Sequence, residues 1–226
     1  MSLLGSAVVL IWNDVVEEAR DGFYEWHNKE HIPERLSIGG FLRGRRYRGA
    51  SAAPEWLTIY EAANLETLTG KAYLDRLNNP TPATQASVKQ FRNTARSICQ
   101  IEHTSGESTG AYAITLQLRV DTESAGILLN FVSKELFPRI LDRADVVAAH
   151  LFIADVDASN VKTSEAQHRG GVCSVPSRVL LIECTTEHGA TATAQTLRAV
   201  DWQQCGAASD ACQTYTLEIS RLGKSR

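Results

Sequence analysis

The sequence predicts an α+β fold of two tandem ferredoxin-like β-α-β-β-α-β units, packed within one chain as a pseudo-dimeric α/β barrel. Three observations predict it. Glu30, Pro33 and Leu36 recur as Glu135, Pro138 and Leu141, each 105 positions on (135 − 30). The apolar periodicity gives both halves the same order of strands and helices. A four-stranded sheet with helices on one face leaves its other face unburied, and a second unit in the same chain supplies the cover. The units are expected at 1–106 and 110–226, joined by Gly106-Glu107-Ser108-Thr109-Gly110.

In the first half, Ala7 to Trp12 is a β-branched and aromatic run ended by Asn13-Asp14, which reads as a buried strand. A helix follows, starting around Glu17 or capped by Asp21, carrying Phe23, Trp26, His27, Glu30 and His31, and stopped by Gly39-Gly40. Pro33 lacks an N–H and is expected to bend or break its last turn. From Phe41 to Arg48 the residues alternate, Phe41, Arg43, Arg45 and Tyr47 against Leu42, Gly44, Arg46 and Arg48, the period of a second strand. Trp56 to Glu61 is a third. A polar helix runs from Asn64 to Leu77, Pro80-Thr81-Pro82 interrupts it, and a further helix spans Ala83 to Phe91 before a strand at Ser97 to His103.

The second half repeats the order: strand Ala111–Val120, helix Glu123–Leu141, strands Val146–Val156 and Arg178–Thr185, helix His188–Val200 and strand Gln213–Leu222. Asp157 to Pro176 is polar and contains Gly170-Gly171, so a mobile loop is expected there.

At 226 residues the chain is long enough for either one large domain or two with real cores, and 43% hydrophobic with 22% charged residues is ordinary globular composition. A net charge of −3 offers no broad field for phosphate backbones or anionic lipid, so no nucleic acid and no membrane partner is expected. Cys99, Cys173, Cys184, Cys205 and Cys212 are odd in number and form no C-x-x-C pair, the usage of reduced thiols in a cytoplasmic protein. The apolar stretch at Ala7–Trp12 is too short to span a bilayer and follows no basic leader, so no targeting is expected.

Read as a helix, the segment from Trp26 to Leu36 sets His27 and His31 one turn apart on one face, where two imidazoles can serve as general acid and base. His31 leads, because the irregular turn around Pro33 aims functional groups more often than regular helix does. At the 105-residue offset His27 matches Val132, His31 matches Leu136, Trp26 matches Phe131 and Arg35 matches Ile140. The same architecture accepts apolar side chains there, so one candidate site is expected, in the first half.

His27-Asn28-Lys29-Glu30-His31 also spells H-x-x-E-H, a zinc-protease signature, but Glu30 recurs as Glu135 in the half without histidines, so no metal is assigned. Arg43, Arg45 and Tyr47 on one strand face, or Arg46 and Arg48 on the other, fit either carboxylate or enolate binding or an ion-paired lattice. Trp12, Trp26, Trp56 and Tyr60 fit an aromatic lining, with core expected for Trp12 and Trp56. No glycine-rich phosphate loop and no G-x-S-x-G elbow is present, so no cofactor is expected and covalent hydrolysis is unsupported.

The string from Phe23 to Arg35, followed by Gly40-Phe41-Leu42 and Arg46-Tyr47, resembles the dimeric α/β barrel superfamily, particularly its EthD-like branch. The resemblance covers about a tenth of the chain by motif and nearly all of it by element order. It implies a pocket in each half between helices and sheet, where relatives act on small, often aromatic or polyketide-like molecules. The superfamily includes cofactor-independent monooxygenases, muconolactone-type isomerases, aldoxime dehydratases and haem enzymes, so shape alone selects no chemistry. The expected function is a cofactor-independent isomerase, dehydratase or monooxygenase acting on a small hydrophobic or aromatic carbonyl compound. Its catalytic residues would be His31 and His27, and the resemblance adds Arg46 and Tyr47. The alternatives are a non-catalytic binding or assembly module and a haem protein ligated by His31, His103 or His150. The expected assembly is a monomer or a homodimer.

Overall fold

A computed structural model describes residues 2–169 and 175–224. Eight antiparallel strands close into one barrel: β1 (Ala7–Val15), β2 (Phe41–Arg48), β3 (Trp56–Ala62), β4 (Phe91–Gly106), β5 (Tyr112–Val120), β6 (Val146–Asp155), β7 (Arg178–Cys184) and β8 (Ala207–Leu222). Their order around the barrel is β1-β3-β2-β8-β5-β7-β6-β4. Each half therefore contributes a sheet in the ferredoxin-like order, β4-β1-β3-β2 and β8-β5-β7-β6. The halves join edge to edge through β2·β8 and β4·β6, and their inner faces meet across the barrel interior.

The long strands β4 and β8 show why sequence boundaries fell short. Of β4, only 97–103 carries a strand-like pattern, yet the strand runs over 16 residues because its first part pairs with β1 and its last part with β6. Its polar start contains Asn93 at φ 50°, a left-handed backbone that Asn tolerates well, and Asn93 Nδ2 donates to Asp14 Oδ2 at 2.7 Å. Phe91, expected at a helix end, begins this strand.

Helices cover the outside. In the first half these are α1 (Arg20–Trp26), α2 (Ile32–Leu36), α3 (Leu65–Thr69), α4 (Lys71–Asn78) and α5 (Pro82–Val88). Asn64 and Thr81 cap α3 and α5 through their side-chain oxygens. In the second half they are α6 (Ala125–Phe131), α7 (Phe137–Leu141), α8 (Val156–Ser159), α9 (Ser164–Arg169) and α10 (Glu187–Arg198). The segment from 157 to 169, expected as a mobile loop, holds α8 and α9, because Asp155 caps α8 and Ser159 Oγ accepts from Ile98 N at 2.9 Å. Gly170-Gly171 and Cys173 lie outside the described residues. Cys99, Cys184, Cys205 and Cys212 are free thiols. Among the described residues no helix is long and apolar enough to cross a membrane.

Pro33 does not break its helix. A π turn at His27–His31 links α1 to α2, with Ile32 N–H reaching back to His27 O. Proline in a regular helix collides with the carbonyl four residues before it, and a turn closed at five residues opens that spacing. A second π turn at Val132–Leu136 precedes Pro138 in the same way.

Among the described residues the apolar core forms four clusters: within the barrel (Leu10, Trp12, Leu57, Ile59, Phe152, Leu181), two under the first half's helices (Val9, Ile32, Tyr60, Leu68, and separately Phe23, Trp26, Trp56, Val88) and one under the second half's (Leu116, Leu136, Ile140, Leu197). One end of the barrel interior is charged. Arg45, Glu61, Glu183 and His150 are fully buried there, Arg45 Nη1 lying 3.0 Å from both oxygens of Glu183 and Arg45 Nε 3.0 Å from Glu61. Tyr47 belongs to this interior, accepting from Arg45 Nη1 at 2.7 Å.

Candidate functional site

Strand alternation divides β2 between two environments. Arg45 and Tyr47 enter the barrel, and Arg46 faces the helices together with Gly44. Gly44 packs closely here, since a Cβ would stand 3.1 Å from the Tyr60 ring and 3.3 Å from Ile32. Against this face the π turn presents His27 and His31, with relative exposures of 4% and 5%. The structure thus brings His27, His31 and Arg46 together, and places Tyr47 on the opposite face of the sheet.

His27 is stacked between Phe23, with ring centroids 5.1 Å apart, and His31, at 5.6 Å. Its Nδ1 lies 3.1 Å from Arg46 Nη1. A guanidinium only donates, so Nδ1 accepts and the proton of this neutral imidazole sits on Nε2. Burial, then the neighbouring charges of His31, Arg46 and Arg35, hold the His27 pKa well below the ordinary 6.5. His27 is therefore a hydrogen-bond donor at neutral pH rather than an acid-base group. His31 packs 4.3 Å from the Trp26 ring and edge-on to Tyr60 at 6.4 Å.

Two carboxylates from the second half brace this site. Glu218, on β8, accepts from Arg46 Nε at 2.8 Å and from the Tyr24 hydroxyl at 2.7 Å, and the Arg46 guanidinium lies 4.5 Å over the Tyr24 ring. Burial, then the hydrogen bond to Glu218, raises the Tyr24 pKa, so the phenol stays protonated. Glu165, on α9, pairs with Arg35, which also stacks on Tyr73 at 5.8 Å; Arg35 and Glu165 are both almost fully buried. Sequence reasoning missed Glu165 and Glu218. Glu165 sits in a polar stretch with no pattern, and Glu218 is one of many outward positions on a strand. Tyr60, expected only as lining, stands beside His31.

Glu30, the middle member of H-x-x-E-H, accepts instead from the Thr81 hydroxyl, on the α5 side. Among the described residues no group of three or more His, Cys, Asp or Glu is arranged to hold a metal ion. His150 engages both ring nitrogens, Nδ1 with Thr104 at 2.6 Å and Nε2 with Ser2 at 3.3 Å. Two of the larger grooves, of about 680 and 590 Å³, lie between helices rather than between helix and sheet. The second of these is lined by Trp26, whose ring also packs on His31.

The neutral His27 has a measurable consequence. Unfolded, its imidazole takes a proton near pH 6.5; folded, it does so only at much lower pH. The unfolded chain therefore binds more protons below 6.5, and stability falls as pH drops through that window, by up to about 1.4 kcal/mol per pH unit. His27→Gln keeps an acceptor for Arg46 but cannot titrate. Urea unfolding at pH 7.5, 6.5 and 5.5 is expected to show a shallower loss of stability in the variant; identical slopes would contradict a neutral His27.

No family model and no curated protein sequence matches the chain. Its fold is similar to solved structures. An anthrone oxidase-like protein superposes with a TM-score of 0.68 at 10% identity, covering 97% of this chain and 93% of that one. A Lactobacillus acidophilus protein provisionally described as a monooxygenase gives 0.54 at 12% identity, covering 96% of each chain. A heme-binding protein of Thermus thermophilus gives 0.53 at 10% identity, covering 96% of this chain and 92% of that one. These likenesses establish the ferredoxin-like barrel and leave the chemistry to the site.

Proposed function

We propose that the chain is a fusion of two ferredoxin-like units, 1–106 and 110–226, whose first unit is a cytoplasmic, cofactor-independent enzyme of the EthD-like kind. In this reading His31 takes a proton from a carbon conjugated, through the aromatic rings, with the carbonyl of a small aromatic ketone. Arg46 and the Nε2–H of His27 stabilise the oxygen as it gains negative charge. Tyr47, with Arg45, joins the halves and takes no part.

One observation supports this reading above others. At matched positions the second half is apolar: His27, His31, Arg35 and Arg46 correspond to Val132, Leu136, Ile140 and Leu151, and all four replacements are buried. A helix, π turn and sheet of the same design pack well without polar groups, and buried polar groups cost stability unless they are hydrogen-bonded or paired, so packing alone does not call for them. The first half keeps them.

Haem fits poorly. His31 is closed from solvent at 5% exposure, both nitrogens of His150 are engaged, and Nε2 of His103 lies 3.2 Å from the Ser105 hydroxyl. No step is assigned to it.

The anthrone oxidase-like neighbour suggests the probe. Anthrone carries acidic C–H groups opposite its carbonyl, and its enolate reacts with dioxygen; overall, anthrone and O₂ give anthraquinone and water. Purified protein in air is expected to accelerate anthraquinone formation, followed by absorbance, with no added metal or nucleotide. A rate equal to that of buffer would retract the oxidase form of the reading.

A further inference from the structure

The first half carries one more polar group that its architecture does not need. Tyr60, on β3, is 1% exposed, and among the described residues its hydroxyl has no hydrogen-bond partner. A buried donor left unmatched is costly, and native structures rarely keep one without use. Packing does not call for the hydroxyl, because Tyr60 is the fifth residue of β3 and the fifth residue of β7 is Ile182, fully buried under the second half's helices.

The surroundings define what the hydroxyl would meet. Tyr60 lies edge-on to His31 at 6.4 Å, and the charges of Arg35, Glu165 and Arg46 act on it along with the Tyr73 phenol. Burial raises its pKa, so it remains a donor at every physiological pH. A donor with guanidinium groups nearby suits an oxygen that is neutral in one state and negative in another, such as a carbonyl passing to its enolate. His31 stands edge-on at the same ring.

We propose that Tyr60 binds the ligand's carbonyl oxygen, making the first half a site for planar aryl ketones. The proposal rests on the reading of that half as the functional one, and separates binding from turnover. His27, His31 and Tyr60 are all closed from solvent, so ligand entry requires a local opening of the packing over them.

The test uses two unreactive probes of one shape, 9-fluorenone and fluorene, the second lacking the oxygen. The intact chain is expected to bind fluorenone about tenfold more tightly than fluorene, the contribution of one buried hydrogen bond. Tyr60→Phe, which removes only the hydroxyl, is expected to abolish that preference while leaving fluorene affinity unchanged. The fluorenone carbonyl stretch should move to lower frequency in the wild-type complex and return in the variant. Equal affinity for the two probes, no binding of either, or a preference that survives in Tyr60→Phe would overturn the proposal. Fluorenone preference without anthrone turnover would keep it and remove the enzymatic reading.

Discussion

His31→Leu is expected to lower anthrone turnover by about a hundredfold or more while leaving the thermal midpoint equal or higher, because the two roles of this position are separable. A positioned general base is worth about 10² to 10⁴ in rate, and leucine has no proton acceptor. Leucine is also the residue that the second half places at the corresponding position of its own π turn, where Leu136 is fully buried between helix and sheet. The substitution thus installs a side chain that this architecture already packs. Initial rates and melting curves on the same preparations decide the matter. An unchanged rate takes His31 out of the mechanism, and a collapsed melting midpoint would show that the imidazole is structural after all. His27→Leu provides a contrast: with a neutral ring hydrogen-bonded to Arg46, His27 is expected to act through oxygen stabilisation, so its loss should leave the pH dependence of the remaining rate unchanged.

The site was legible in the sequence as far as internal repetition could carry it. The 105-residue offset aligns the two π turns, and through them His27, His31 and Arg35 with their apolar counterparts. It does not align Tyr60 with Ile182, because the longer β6–β7 connection of the second half moves that pair to a spacing of 122 (182 − 60). The strand pattern around Arg46 and Tyr47 separated their faces correctly, but only the structure shows which face meets the helix. Glu165 and Glu218 were beyond reach for a different reason. Each acts on an arginine more than a hundred residues away, and a single carboxylate in a polar loop or on an alternating strand carries no mark of its partner. Pro33 misled for a local reason: sequence rules treat proline as a breaker, and a π turn is a solution that leaves no composition signal.

Arg45→Ala is expected to destabilise the protein by about 3–5 kcal/mol, since it leaves two buried carboxylates without their shared cation. Glu61 and Glu183 reach Arg45 from opposite halves, on β3 and β7, so this guanidinium ties the halves across the barrel interior. Burial alone would raise the Glu183 pKa, yet the hydrogen bond to His150, the charge of Arg45 and the bond to it hold it below the usual carboxylate value. A carboxylate with a depressed folded pKa stabilises fully above its unfolded pKa and loses that contribution as pH falls through the folded value, so this clasp weakens only in acid below about pH 4.5. Without Arg45 the burial of Glu183 is opposed only by His150 and the Gly110 N–H, so its pKa rises and the variant should lose less stability than the wild type as pH drops from 7 towards about 4. The triple change Arg45→Met, Glu61→Gln and Glu183→Gln removes the charges together and is expected to cost less than Arg45→Ala alone, because the three groups act as one unit. Guanidinium unfolding of the wild type and both variants across that pH range measures every term. Simple additivity among the three positions, or an Arg45→Ala chain as stable as the wild type at neutral pH, would mean that this buried ion cluster does not hold the barrel halves together.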